Sequence, residues 1–95
     1  MIVDAHSHVG DDPYAGQQRG PESASAADRY VAIMQAAGVD KGFTFTSWGL
    51  RGNVELSNDN LARARDQYPE VIVPWGVVDP RWPEPKLRQE MRRCV

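Results

Sequence analysis

Three short runs rich in β-branched and aromatic residues alternate along this chain with three stripes of helical spacing, and that alternation constrains the fold most. The extended runs cover about Met1 to His8, Lys41 to Thr46 and Val71 to Val78. Helical patterns begin near Ser25, near Asn58, and near Glu84 or Pro85. Strands that alternate with helices pair in parallel through right-handed crossovers. Two architectures satisfy this order: an open doubly wound sheet, and the first three βα units of a (β/α)8 TIM-type barrel. A barrel takes about 250 residues, whereas this chain has 95. Its last helical stripe, Leu87, Met91 and Val95, runs to the final residue without a C-cap. The expectation is one α/β domain over residues 1–95 that forms the N-terminal, incomplete part of a barrel. Its inner face and third-strand edge would then lie uncovered.

Local signals refine the elements. Ser25-Ala26-Ala27-Asp28 resembles a capping box with Asp in place of Glu. Ala27, Tyr30, Val31, Met34 and Ala37 form a packing stripe, and Gly38 falls where a C′ glycine belongs. In the second strand Phe43 and Phe45 alternate with Thr44 and Thr46. The rings are expected beneath the helices and the threonines toward the interior. Ser57 or Asn58 is the expected cap of the second helix, with Leu61, Ala64, Arg65 and Tyr68 on one side and Pro69 ending it. Pro74 is an awkward residue for a strand, because it removes a ladder donor. Gly10 to Ser23 and Ser47 to Ser57 read as loops, with Asp11 and Asp12 as turn residues. Trp75 and Trp82 read as packing residues.

Composition excludes several functional classes. A formal charge of −2, from 11 basic and 13 acidic residues, gives no field for nucleic acid or an anionic membrane. Arg88, Arg92 and Arg93, interspersed with Glu84 and Glu90, read as a solvated helix face. The single Cys94 allows no internal disulfide and reads as an ordinary thiol, which suits a cytoplasmic compartment. Asp4 arrives too early for a signal peptide, and no apolar run approaches the ~20 residues that span a bilayer.

Chemistry concentrates at the first strand. Asp4, His6 and His8 are spaced two apart, so a regular strand would project all three from one face. His6 and His8 are the only histidines. They fall at the C-terminal end of a parallel strand, where function collects in such folds. Neutral imidazole is the commonest protein metal ligand. Two histidines on a strand end are also consistent with plain hydrogen bonding or exposure. Asp4 reads either as support for a ligating histidine or as a buried acid in the floor of the fold. Trp48 and Arg51 fall in the loop on the same side. Arginine forks onto a carboxylate and tryptophan walls a flat ring, so they are candidate substrate-binding residues.

Asp4-Ala5-His6-Ser7-His8 after an apolar strand resembles the first-strand motif of the amidohydrolase superfamily of metal-dependent barrels. The likeness continues in Ala37-Gly38-Val39-Asp40-Lys41, Asn58-Asp59-Asn60-Leu61-Ala62, Tyr68-Pro69 and Val77-Val78-Asp79-Pro80, so it spans nearly all of the chain. Together these segments resemble the amidohydrolase-related branch of metal-dependent hydrolases and aminocarboxymuconate-semialdehyde-type decarboxylases. The resemblance implies that His6 and His8 bind a divalent metal, zinc in most members. It implies a further histidine and an aspartate on later strands, and hydrolysis of a C–N or C–O bond or non-oxidative decarboxylation of a small acid. Two histidines are short of a catalytic zinc site, which has three protein ligands plus water. The 95 residues alone are therefore expected to bind metal weakly and catalyse little. A TatD-type deoxyribonuclease has a similar first strand, but carries a histidine where Asp79 precedes Pro80. The non-enzymatic alternative is an inactive fragment or assembly subunit. The expected partner is a small-molecule substrate, with self-association left open.

Overall fold

A computed structural model describes residues 1–10, 26–46 and 53–95. The elements run β1 (Val3–Val9), α1 (Ala26–Ala36), β2 (Lys41–Thr46), α2 (Val54–Gln67), β3 (Ile72–Pro74) and α3 (Glu84–Arg93). The three strands form one parallel sheet with β2 in the middle. The chain is thus a mixed α/β unit built on a small parallel sheet, as the alternation of patterns implies.

Helices α1 and α2 pack on one face of the sheet. Val9, Ala27, Val31, Leu61, Ala64 and Ile72 form the buried cluster that joins them. Gly38 has φ +70 and closes α1 in a Schellman arrangement. Val39 N–H donates to Met34 O at 2.9 Å, and Gly38 N–H to Gln35 O at 3.1 Å. Between the helices, Asp28 accepts from Tyr68 Oη at 2.5 Å and from Gln67 Nε2 at 2.7 Å.

The two faces of β2 are the reverse of the sequence expectation. Gly42, Thr44 and Thr46 are buried on the helix side, while Phe43 and Phe45 are half-buried on the opposite face. Gly42 explains the reversal. A Cβ there would lie 1.8 Å from Tyr30 Oη and 3.0 Å from Met34 Cε, so α1 seats itself on the one strand position without a side chain. The phenylalanine rings then face away from the helices, against Trp75 at centroid distances of 6.0 and 5.5 Å.

Helix α2 begins a turn earlier than its composition suggests. Asn53 caps it, its Oδ1 accepting from Leu56 N–H at 2.9 Å. Ser57 and Asn58, the expected caps, lie buried inside the helix. Arg65, expected on the packed side, is exposed and pairs with Asp66.

Strand β3 is only three residues long, against an expected Val71–Val78. Trp75 N–H still donates to Thr44 O at 2.9 Å, but from there Asn58 takes over the backbone. Its Oδ1 accepts from Val77 N–H at 2.9 Å and its Nδ2 donates to Val77 O at 2.7 Å. The amide side chain thus satisfies groups that a longer ladder would otherwise pair.

The same Asn58 Nδ2 donates to Glu90 Oε1 at 2.7 Å and so fixes α3. The inward residue of α3 is Glu90, whereas Met91 and Val95 of the expected apolar stripe are exposed. Arg93 binds Glu90 through Nε at 2.8 Å and Nη2 at 2.6 Å, and also pairs with Asp59. Glu90 therefore leaves the solvated face assigned to it and draws Arg93 into a pair, whereas Glu84, Arg88, Arg92 and Arg93 itself are exposed as expected. Arg93, set against the opposing cost of burial, keeps the Glu90 carboxyl below its usual range, with help from Asn58. Cys94 Sγ sits 3.8 Å from Glu90 Oε1, and burial raises its pKa, so the thiol stays protonated.

Candidate metal centre

The site face of β1 is set by an irregularity in its pairing. Asp4 lies opposite Gly42, but Ser7 lies opposite Thr44, so three residues of β1 advance against two of β2. One extra residue in a strand reverses which face the following side chains take. Asp4 and Ser7 accordingly share the helix side with Gly42 and Thr44, whereas His8 pairs with Phe45 on the open face. The expectation that Asp4, His6 and His8 project together is corrected by this bulge. Asp4 instead turns back on the chain, its Oδ1 accepting the His6 main-chain N–H at 3.0 Å. Its bearing on the histidines is thus through the backbone.

Ser7 anchors the strand from behind. Its Oγ and Tyr30 Oη are 2.7 Å apart, and it donates to Phe43 O at 3.4 Å. Burial raises the Tyr30 pKa against the opposing Ser7 hydrogen bond, and the Asp4 charge adds to the rise. Ser7, Tyr30 and Gly42 together hold the register that turns His6 and His8 outward. A glycine inside a strand was the sequence signal for this close approach.

On the open face the two histidines meet. His6 Nε2 and His8 Nε2 lie 3.2 Å apart, and both residues are exposed. His8 Nδ1 lies 3.3 Å from Thr46 O. A carbonyl only accepts, so Nδ1 carries the proton and neutral His8 has its lone pair on Nε2. A backbone carbonyl behind the distal nitrogen is the usual way a ligating imidazole is oriented. Phe45 borders the rings from the side, 4.7 Å from His6 and 6.0 Å from His8 between centroids.

This donor set fits a divalent ion. Two imidazole nitrogens of a tetrahedral zinc site, each bonded at about 2.0–2.1 Å, lie roughly 3.3–3.4 Å apart, and the pair stands at 3.2 Å. Among the described residues, no group of three or more His, Cys, Asp or Glu side chains converges. A catalytic zinc site has three protein ligands, and these two imidazoles are two fewer than a full tetrahedral set. Trp48 and Arg51, the candidate substrate-binding residues, lie outside the described residues, as do Asp11 and Asp12. Trp75 borders the open face at 52% exposure, and Trp82 packs beneath Lys86 Nζ at 4.0 Å.

Comparison with protein-family models, with characterised proteins and with solved structures finds no match. No helix among the described residues is long and apolar enough to cross a membrane.

Proposed function

We propose that this chain is the N-terminal part of a metal-dependent hydrolase or carboxy-lyase of the amidohydrolase-related type. In this reading its three βα units form a sector of a (β/α)8 wall. The observation that carries the reading is the His6–His8 pair, with Nε2 atoms 3.2 Å apart at the C-terminal end of a parallel strand. The open aromatic face beside it suits the interior of such a wall, which further strands would cover.

His6 and His8 would hold the ion, probed first as zinc. Thr46 O keeps the His8 proton on Nδ1 and so leaves Nε2 free to bind. His6 donates Nε2–H to His8 in the neutral pair and must move that proton to Nδ1 on binding. Phe45 lies beside both rings, 4.7 Å from His6 and 6.0 Å from His8 between centroids. A bound divalent ion supplies Lewis acidity, making water a stronger acid and polarising a substrate oxygen. Trp48 and Arg51 are proposed to receive the flat body and the carboxylate of the substrate.

The test is zinc titration of this chain and of a longer chain that carries the remaining strands. The expected result is weak binding by the 95 residues, tight binding and turnover by the longer chain, and loss of both in a His6→Ala, His8→Ala double variant. Full metal content and activity in that variant would overturn the reading.

A further inference from the structure

We propose that Asp4 is the positioning residue of His6: its carboxylate holds the bulged main chain of β1 so that the His6 ring is aimed at His8 Nε2. This rests on reading the two histidines as metal ligands, and it adds how the first of them is held in place.

The register locates the need for such a residue. Asp4 pairs with Gly42 and Ser7 with Thr44, which leaves Ala5 and His6 both opposite Phe43. A bulge interrupts ladder pairing at the extra residue and re-aims a side chain. The main-chain N–H inside it then needs another acceptor. Asp4 Oδ1 supplies one, accepting His6 N–H at 3.0 Å. Aspartate is the residue whose side chain reaches an N–H two residues on, in the manner of an Asx turn, and its charge strengthens the bond. The residues after the bulge have anchors of their own. Ser7 Oγ meets Tyr30 Oη at 2.7 Å and Phe43 O at 3.4 Å, and Val9 is buried opposite Thr46. Those contacts set the register of the strand end, and His8 Nδ1 faces Thr46 O at 3.3 Å. His6 stands before that register is restored. Its ring meets His8 Nε2 at 3.2 Å and Phe45 at a centroid distance of 4.7 Å, and the bond to Asp4 fixes the peptide from which the ring projects. Loss of that bond frees the His6 peptide while His8 keeps its own carbonyl partner, so the ligand spacing is lost from one side.

Zinc titration and imidazole NMR of three Asp4 variants of this chain test the assignment. Asp4→Ala removes the acceptor, Asp4→Glu keeps the charge on a stem too long for the two-residue turn, and Asp4→Asn keeps the acceptor without the charge. Zinc affinity should fall about tenfold in Asp4→Ala and Asp4→Glu, as when a ligand loses its outer partner, and stay near that of the unaltered chain in Asp4→Asn. Without zinc, the first two variants should lose the nuclear Overhauser contact between the His6 and His8 rings yet keep His8 protonated at Nδ1. Circular dichroism reports that each is folded; if Asp4→Ala is not, Asp4→Glu and Asp4→Asn carry the comparison. Unchanged affinity in Asp4→Ala and Asp4→Glu would overturn the proposal, as would an equal loss in Asp4→Asn. Disturbance of His8 Nδ1 equal to that of His6 would mark a general loosening of the strand and overturn it too. No zinc binding by the unaltered chain would overturn the ligand reading alone. The ring contact then decides the role of Asp4: its loss in Asp4→Ala with retention in Asp4→Asn supports positioning, and an unchanged contact overturns it.

Discussion

Gly42 and Tyr30 decide which way the first strand faces. The phenol reaches Ser7 only because no Cβ stands at residue 42. Gly42→Ala should therefore destabilise the chain by about 1–3 kcal/mol, the range for overpacking a tight core. Tyr30→Phe in the Gly42→Ala background removes the atom in closest conflict and should recover part of the loss, measured by urea unfolding. Asp79 makes a prediction of a different kind. Arg81 binds it through side chain and main chain and holds its carboxyl at about 2, well below the usual aspartate value. A depressed folded pKa contributes stability above the unfolded value, near 4, and that stability is lost as pH falls from about 4 toward 2. Glu90 is shifted in the same direction and adds to the acid limb. Thermal melts over that range should show the loss, and Asp79→Asn should flatten the part that belongs to Asp79.

At the scale of elements, Asn58 ties α2, the segment after β3, and α3 through three hydrogen bonds. Asn58→Leu leaves Val77 and Glu90 without these partners in a buried setting. It should cost several kcal/mol, since each unsatisfied buried group costs about 1–3 kcal/mol. Loss of amide-exchange protection at Val77 would report the cause, and unchanged protection there would contradict it. The same residue shows what the sequence concealed. Period-two and helical patterns reveal β2 and the Gly38 stop of α1 because they depend on neighbours along the chain. The Asn53 cap of α2 is local, accepting from Leu56 three residues on, and is a signal open to the sequence. The short β3 and the inward Glu90 instead depend on Asn58 and its partners Val77 and Glu90, 19 and 32 residues away. No local pattern encodes those. The Asp4–Ser7 bulge is similar. HxH spacing placed the two histidines together, but strict alternation wrongly added Asp4 to their face.

At the scale of the whole molecule, burial among the described residues is one-sided. The helices cover the Gly42–Thr44 face, and the opposite face presents His6, His8, Phe43, Phe45 and Trp75. Chemistry and exposed apolar surface thus coincide, which is where an interaction site is expected. Everything proposed for this chain depends on His6 and His8 binding a metal through Nε2. Long-range ¹H–¹⁵N spectra of the imidazoles, recorded before and after zinc, test that most directly. The account predicts His8 protonated at Nδ1 beforehand, and afterwards both Nε2 resonances shifted together with both Nδ1 atoms protonated. Nε2 resonances that stay in place on addition of zinc would contradict it.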